Sequence, residues 1–171
     1  MARNEPNTSG QIVYTDHQSG GKGQKVNAWI SESGKNLLCS IIIKPDFLNV
    51  SQIYLLNVMT CLAIRDVLSR HHQEHLFEIK WPNDIYVQDQ KICGILVETS
   101  IAGKNIDSAV LGLGLNVNQL HFRLTNAISL ATISAKQTDR WSLLEKILKS
   151  IEQYFIMLKS KGSNTLLIKY H

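Results

Sequence analysis

The chain has 171 residues, 44% hydrophobic and 19% charged, which excludes a disordered tail or a fibrous repeat and suits one domain, residues 1–171, with its own core. The formal charge of +4 comes from lysines scattered along the chain rather than gathered on one stripe, so no nucleic-acid partner is expected. No apolar run approaches the ~20 residues of a membrane helix, and the opening residues lack an apolar signal core, so the expectation is a cytoplasmic protein with no membrane partner.

Residues 1–10 are polar and turn-rich and receive no element. Residues 11–15 (QIVYT) form a short β-type run that leads into HQSGGKGQKVNAW, too glycine-rich and irregular for helix or strand. Residues 37–44 (LLCSIIIK) are β-branched and stop at Pro45, as a buried strand does. From Val50 to His72 the apolar residues recur at helical spacing, and Leu55, Met59 and Leu62 widen the stripe, which predicts a helix packed on a sheet.

Residues 77–81, 85–87 and 91–99 read as three strands, with turns at Asn83-Asp84 and at Gln88-Asp89-Gln90. Residues 109–117 (AVLGLGLNV) are a further buried strand, weakened at Gly112 and Gly114. Asp139 is the N-cap of a final amphipathic helix that runs through Lys161 and ends at Gly162. A helix, a set of strands and another helix predict an α+β fold: a mixed, largely antiparallel sheet flanked by helices. Cys39, Cys61 and Cys93 sit inside apolar segments without ligand spacing and read as small core residues.

Three constellations could carry chemistry. The first is Gln18-Ser-Gly-Gly21-Lys22-Gly23-Gln24-Lys25. Its glycines let backbone N–H groups converge on an anion and its lysines add charge, although it matches neither the P-loop nor the dinucleotide fingerprint. A solvated flexible loop is the competing reading. The second is Lys80-Trp81-Pro82-Asn83-Asp84 followed by Lys91-Ile-Cys-Gly94-Ile-Leu-Val-Glu98. A lysine held at a strand end can bind a carboxylate or an α-phosphate, and Asp84 and Glu98 could hold Mg²⁺ beside substrate phosphates. A plain hairpin with solvated charges is the alternative. The third is Gly112-Leu-Gly114-Leu-Asn116, where glycines in a buried strand admit close approach by a ligand or another backbone, and Asn116 could offer an amide. His71, His72 and His75 include a metal-like spacing but sit at a helix end, where histidines suit the dipole. No nucleophile–base arrangement is identifiable.

In this order the three motifs resemble the catalytic domain of the biotin protein ligase family (biotin–[acetyl-CoA-carboxylase] ligase). The family's pattern is G-R-G-R-x-G-R-x-W, then K-W-P-N-D with K-x-x-G-I-L-x-E, then G-x-G-x-N. Gly21 to Trp29, Lys80 to Asp84, Lys91 to Glu98 and Gly112 to Asn116 align with these. The resemblance implies the biotin/lipoate ligase fold, related to class II aminoacyl-tRNA synthetase cores. It also implies a two-step reaction: biotin and ATP give biotinyl-5′-AMP, which then acylates a lysine of a biotin carboxyl carrier domain, with Mg²⁺ as cofactor.

By the same resemblance Gln18 reads biotin's ureido group, Gly94 lies against biotin, and Lys22, Gly23 and Gln24 wrap its carboxylate and the phosphates. Lys80 is the catalytic residue that holds the carboxylate and bridging oxygen. Gly21, Asn27, Trp29, Asn83 and Asn116 face the nucleotide, with Trp29 closing the loop.

Lysine at 22, glutamine at 24, valine at 26 and asparagine at 27 depart from the family's arginines and glycine, which predicts a less firmly held adenylate. The family's upstream Ser-Thr-Asn segment and its C-terminal small β-barrel find no match, so a sheet edge is expected to be uncovered and a homodimer to form across it. No helix-turn-helix is read, and DNA binding is not expected. The competing functional readings are a non-catalytic relative that binds nucleotide only and a lipoate-type ligase.

Overall fold

The structure is a computed structural model that describes residues 9–24, 28–123 and 125–170. In chain order it runs β1 (Ile12–Tyr14), β2 (Gly21–Lys22), β3 (Ala28–Trp29), β4 (Leu37–Ile43), α1 (Tyr54–His71), β5 (Phe77–Lys80), β6 (Asp84–Val87), β7 (Gln90–Ala102) and β8 (Asn105–Leu115). Three helices follow, α2 (Leu130–Ser134), α3 (Arg140–Lys161) and α4 (Ser163–Tyr170). Six strands make one sheet in the order β1-β4-β8-β7-β6-β5, and every ladder in it is antiparallel. Parallel pairing, which the sequence reading left room for, is confined among the described residues to one isolated bridge between Lys91 and Ala127.

Alternation along the strands divides the sheet into two faces. Leu37, Cys39, Ile41 and Ile43 of β4 and Ala109, Leu111, Leu113 and Leu115 of β8 enter the core. Helix α1 lies on that face, and eleven of its residues are buried because α3 covers its other side. Tyr154 of α3 donates to Asp66 at 2.6 Å and Ser150 to the Ala63 carbonyl at 3.0 Å, which fixes the helix pair. The three cysteines are free and buried, as their apolar surroundings predict.

The ends of the elements differ from expectation for local reasons. A 3-10 turn, Val50–Gln52, precedes α1, because Asn49 and Gln52 form a reciprocal capping box. The β7–β8 hairpin extends to Ala102 and Asn105, well beyond the apolar segments, since paired backbones hold each other whatever their side chains. Gln88 and Asp89 both take positive φ (51° and 59°) in the tight β6–β7 turn. Asp139 caps α3, accepting from the Trp141 N–H at 3.0 Å, and Gly162 ends it. Helices α2 and α4 are additions; each is too short for its periodicity to stand out.

Candidate functional site

The sheet face opposite the helices carries a cleft of about 250 Å³. Register determines its floor. Asp84 pairs with Gly94, Gly94 with Gly114, and Gly114 with Leu38; one step along, Leu96 pairs with Gly112 and Gly112 with Ser40. Three glycines on two adjacent strands therefore leave a strip of sheet without side chains. A Cβ on Gly114 would stand 2.5 Å from the Trp29 indole, one on Gly94 would stand 2.9 Å from the same ring, and one on Gly112 would meet the Leu96 carbonyl at 3.2 Å. The indole thus lies flat on bare backbone, which is what the glycines are there to allow.

The glycine-rich segment roofs this strip. Its ends pair as a small ribbon, Gly21 with Trp29 and Lys22 with Ala28, and Gly21 is packed tightly enough that a Cβ would run into the Trp29 carbonyl and the Gln18 side chain. Gln18, Lys22, Gly23, Gln24 and Trp29 all line the cleft. The Trp29 Nε1–H is buried and makes no hydrogen bond to the described residues. Lys25, Val26 and Asn27 lie outside the described residues, so the nucleotide role expected of Asn27 has no structural counterpart here.

One end of the floor is charged. Lys91 Nζ lies 2.7 Å from Asp84 Oδ1 and 5.8 Å from the centre of the Trp29 ring, with its ammonium beside Gly94. Asn83 is buried and donates its amide to the Ile95 carbonyl, which locks the turn that delivers Asp84. The structure therefore brings together Gln18, Gly21, Lys22, Gly23, Gln24, Trp29, Asn83, Asp84, Gly94 and Glu98, with Gly21 behind the lining rather than in it.

Two expected site residues stand apart. Lys80 is absent from the lining. It ends the edge strand β5, two strand spacings (about 10 Å) from β7, and its ammonium rests on the Tyr86 ring at 4.7 Å. Asn116 is consumed by the fold: its side chain donates to the Ile128 carbonyl at 3.0 Å and its backbone N–H to the Ile92 carbonyl at 2.9 Å, both in the interior.

Asp84 and Glu98 do not fit a shared metal ion. Asp84 is opposite Gly94, four residues or about 13 Å along β7 from Glu98, and its carboxylate is already paired with Lys91. The residue to which the motif reading gave no role is Lys91, three residues before Gly94, where the β6–β7 ladder shifts register between Ile85 and Tyr86. It lies on β7, inside the sheet, while Lys80 lies on the edge strand β5.

A family model described as the biotin/lipoate A/B protein ligase family matches residues 2–116. The bifunctional ligase/repressor BirA of Bacillus spizizenii is 28% identical over 151 residues, covering 85% of this chain and 46% of that protein. The biotin–protein ligase of Homo sapiens is 27% identical over 178 residues, covering 97% of this chain and 24% of that one. The solved structure of biotin protein ligase from Aquifex aeolicus in complex with biotin and ATP superposes with a TM-score of 0.80 at 30% identity, covering 93% of this chain and 66% of that one. The chain spans about half the length, or less, of these curated relatives.

Proposed function

The chain belongs to the biotin/lipoate A/B protein ligase family, and from that membership and the cleft we propose that it activates biotin with ATP and transfers it to a lysine of a carboxyl carrier domain. The observation that carries the reading is the side-chain-free strip of Gly94, Gly112 and Gly114, roofed by Trp29 and ended by Lys91. The strip lets the Trp29 indole sink against backbone, which leaves room in the cleft for a ligand beside the ring with its anionic group at a fixed cation. Biotin is favoured over lipoate because Gln18 offers a paired donor and acceptor for a ureido ring, and because the Aquifex structure described as a complex with biotin and ATP shares this fold at 30% identity.

In the first step a carboxylate oxygen of biotin attacks the α-phosphorus of ATP. The bond from that phosphorus to the bridging oxygen breaks and pyrophosphate leaves. Two anions must meet, so the chain's contribution is positioning and charge: Lys91 and Lys22 hold the carboxylate and phosphate oxygens, with Gln24 as a neutral donor. Asp84 keeps the Lys91 ammonium aimed at Gly94. In the second step the acceptor amine attacks the carbonyl carbon, the carbon–oxygen bond to phosphate breaks, AMP leaves and the amine proton passes to solvent.

Mg²⁺ enters this reading only as the counter-ion carried on ATP phosphates. The edge strand β1 exposes Ile12, Val13 and Tyr14, and the homodimer of this proposal forms there; a monodisperse monomer by light scattering ends that part.

Biotin-dependent exchange of pyrophosphate into ATP tests the reading. Exchange that needs biotin supports it, while nucleotide binding without exchange points instead to a relative that only holds nucleotide. Exchange supported by lipoate but not biotin transfers the reading to the other branch of the family.

A further inference from the structure

The family match ends at Asn116, yet the roof of the cleft is held from beyond it. Arg140, the first residue of α3, directs its guanidinium back to the segment leaving β1. Its Nη1 donates to Asp16 Oδ1 at 2.8 Å and to the Asn36 carbonyl at 3.0 Å. The same group stacks 5.5 Å over the Trp141 ring, which meets Tyr14 of β1 edge to face at 4.8 Å. The Asp16 backbone carbonyl in turn accepts from the Gly34 N–H at 2.9 Å.

The other end of the segment is tied to the same place. Gln119 Oε1 accepts from the Glu32 N–H at 3.0 Å and from the Asn36 side chain at 2.6 Å, and Asn36 Oδ1 accepts from the Val117 N–H at 2.9 Å. Residues 16–34, which contain the entire glycine-rich roof, are thus a loop with both ends clamped around Asn36. Arg140 is the cation of the clamp's ion pair with Asp16, and its side chain is only 17% exposed.

A glycine-rich segment has more conformational freedom to lose than any other, so where its ends are fixed matters to whatever its middle binds. Gln18 follows Asp16 by two residues. We propose that Arg140 is a positioning residue: through Asp16 and Asn36 it sets the height of Gln18 and Lys22 above the glycine floor, and so the affinity for biotin, without touching the ligand. This rests on the functional reading above for its ligand, but its structural half does not.

The test uses the full chain with Arg140→Gln, Arg140→Lys and the surface change Asp16→Asn, with Lys149→Ala on the same helix as control. Two quantities are measured: amide hydrogen exchange, segment by segment, and KM and kcat for biotin in pyrophosphate exchange. Arg140→Gln and Asp16→Asn are expected to speed exchange in residues 16–34 while α1, α3 and the sheet keep their protection. They also raise KM for biotin about tenfold, the ratio set by one charge-assisted hydrogen bond, with kcat within about twofold. Arg140→Lys, which keeps the charge, recovers most of the loss.

Unchanged amide exchange in residues 16–34, or a loss confined to kcat, overturns the proposal. If the native chain supports no biotin-dependent reaction, the functional reading falls by itself and the amide-exchange comparison still decides the clamp.

Discussion

The two faces of one sheet were built under opposite demands. On the helix side β4 and β8 present Leu37, Cys39, Ile41, Leu111, Leu113 and Leu115, and nearly every atom is spent on packing. On the cleft side the same strands present Ser40, Gly112 and Gly114, and β7 adds Gly94. Burial stabilises the first face; the second gives up side-chain contacts so that a ring can lie against backbone. A mutation on one face should therefore change stability and spare the chemistry, and a mutation on the other should do the reverse.

The largest separation is expected at Lys91. Lys91→Ala removes the cation fixed at the end of the glycine strip and should lower biotin-dependent pyrophosphate exchange by about 10²–10³-fold, the usual cost of one preorganised electrostatic contact. Its denaturation midpoint should hardly move, since the Lys91–Asp84 pair is partly solvated. Lys80→Ala, on the edge strand and against Tyr86, should stay within about twofold of the native rate. Equal losses at the two positions would return the catalytic assignment to Lys80.

Leu62 tests the other face. It is fully buried in α1, so Leu62→Ala should cost about 3 kcal/mol in chemical denaturation and leave KM for biotin unchanged in the fraction that stays folded. Burial also pushes the Cys39 and Cys61 thiols up to about 12. Thiols of the unfolded chain ionise near 8.5 while these stay neutral, so stability is flat below that pH. It falls as pH rises from about 9 toward 12, by up to about 1.4 kcal/mol per pH unit for each thiol. Denaturation at pH 8 and pH 10.5 measures the slope, and a flat profile would mean the thiols ionise in place.

These contrasts also explain what could be read from the sequence. Core-facing segments announce themselves by apolar spacing, so β4, α1, α3 and the three cysteines were legible, and Asp139 and Gly162 marked the ends of α3. The glycines of the strip were visible in two separate motifs, but that Gly94 and Gly114 face each other across β7 and β8 depends on register, which spacing along one strand does not contain. Register likewise sets where Lys80 and Asn116 lie relative to the cleft. A lysine at a strand end looks equally poised whether its strand is central or at the edge, and an asparagine after glycines looks like a ligand until its amide is found on Ile128. Arg140 gave no signal, because its partners Asp16 and Asn36 are more than a hundred residues away.

A smaller effect belongs to the floor itself. In Gly114→Ala the new methyl would stand 2.5 Å from the Trp29 ring, so the indole must lift while the strand, already extended, is unstrained. Exchange should fall about tenfold through KM, in line with overpacking costs of 1–3 kcal/mol, with little change in the denaturation midpoint. Native-like KM would place the ligand away from the Trp29 ring.

The finest distinction concerns the roof rather than the floor. Gln24 lines the cleft where the family pattern has an arginine. A glutamine offers neutral hydrogen bonds, whereas a guanidinium offers a charged, planar pair of donors to the same phosphate and carboxylate oxygens. The difference between a charged and a neutral hydrogen bond is about 1 kcal/mol, which converts to roughly fivefold in a dissociation rate. Gln24→Arg should therefore slow the release of biotinyl-5′-AMP by about that factor, measured by single-turnover formation followed by dilution, and leave the core untouched. An unchanged off-rate would mean that residue 24 faces the adenylate without holding it, and that retention depends on Lys22, Trp29 and the clamped ends of the loop.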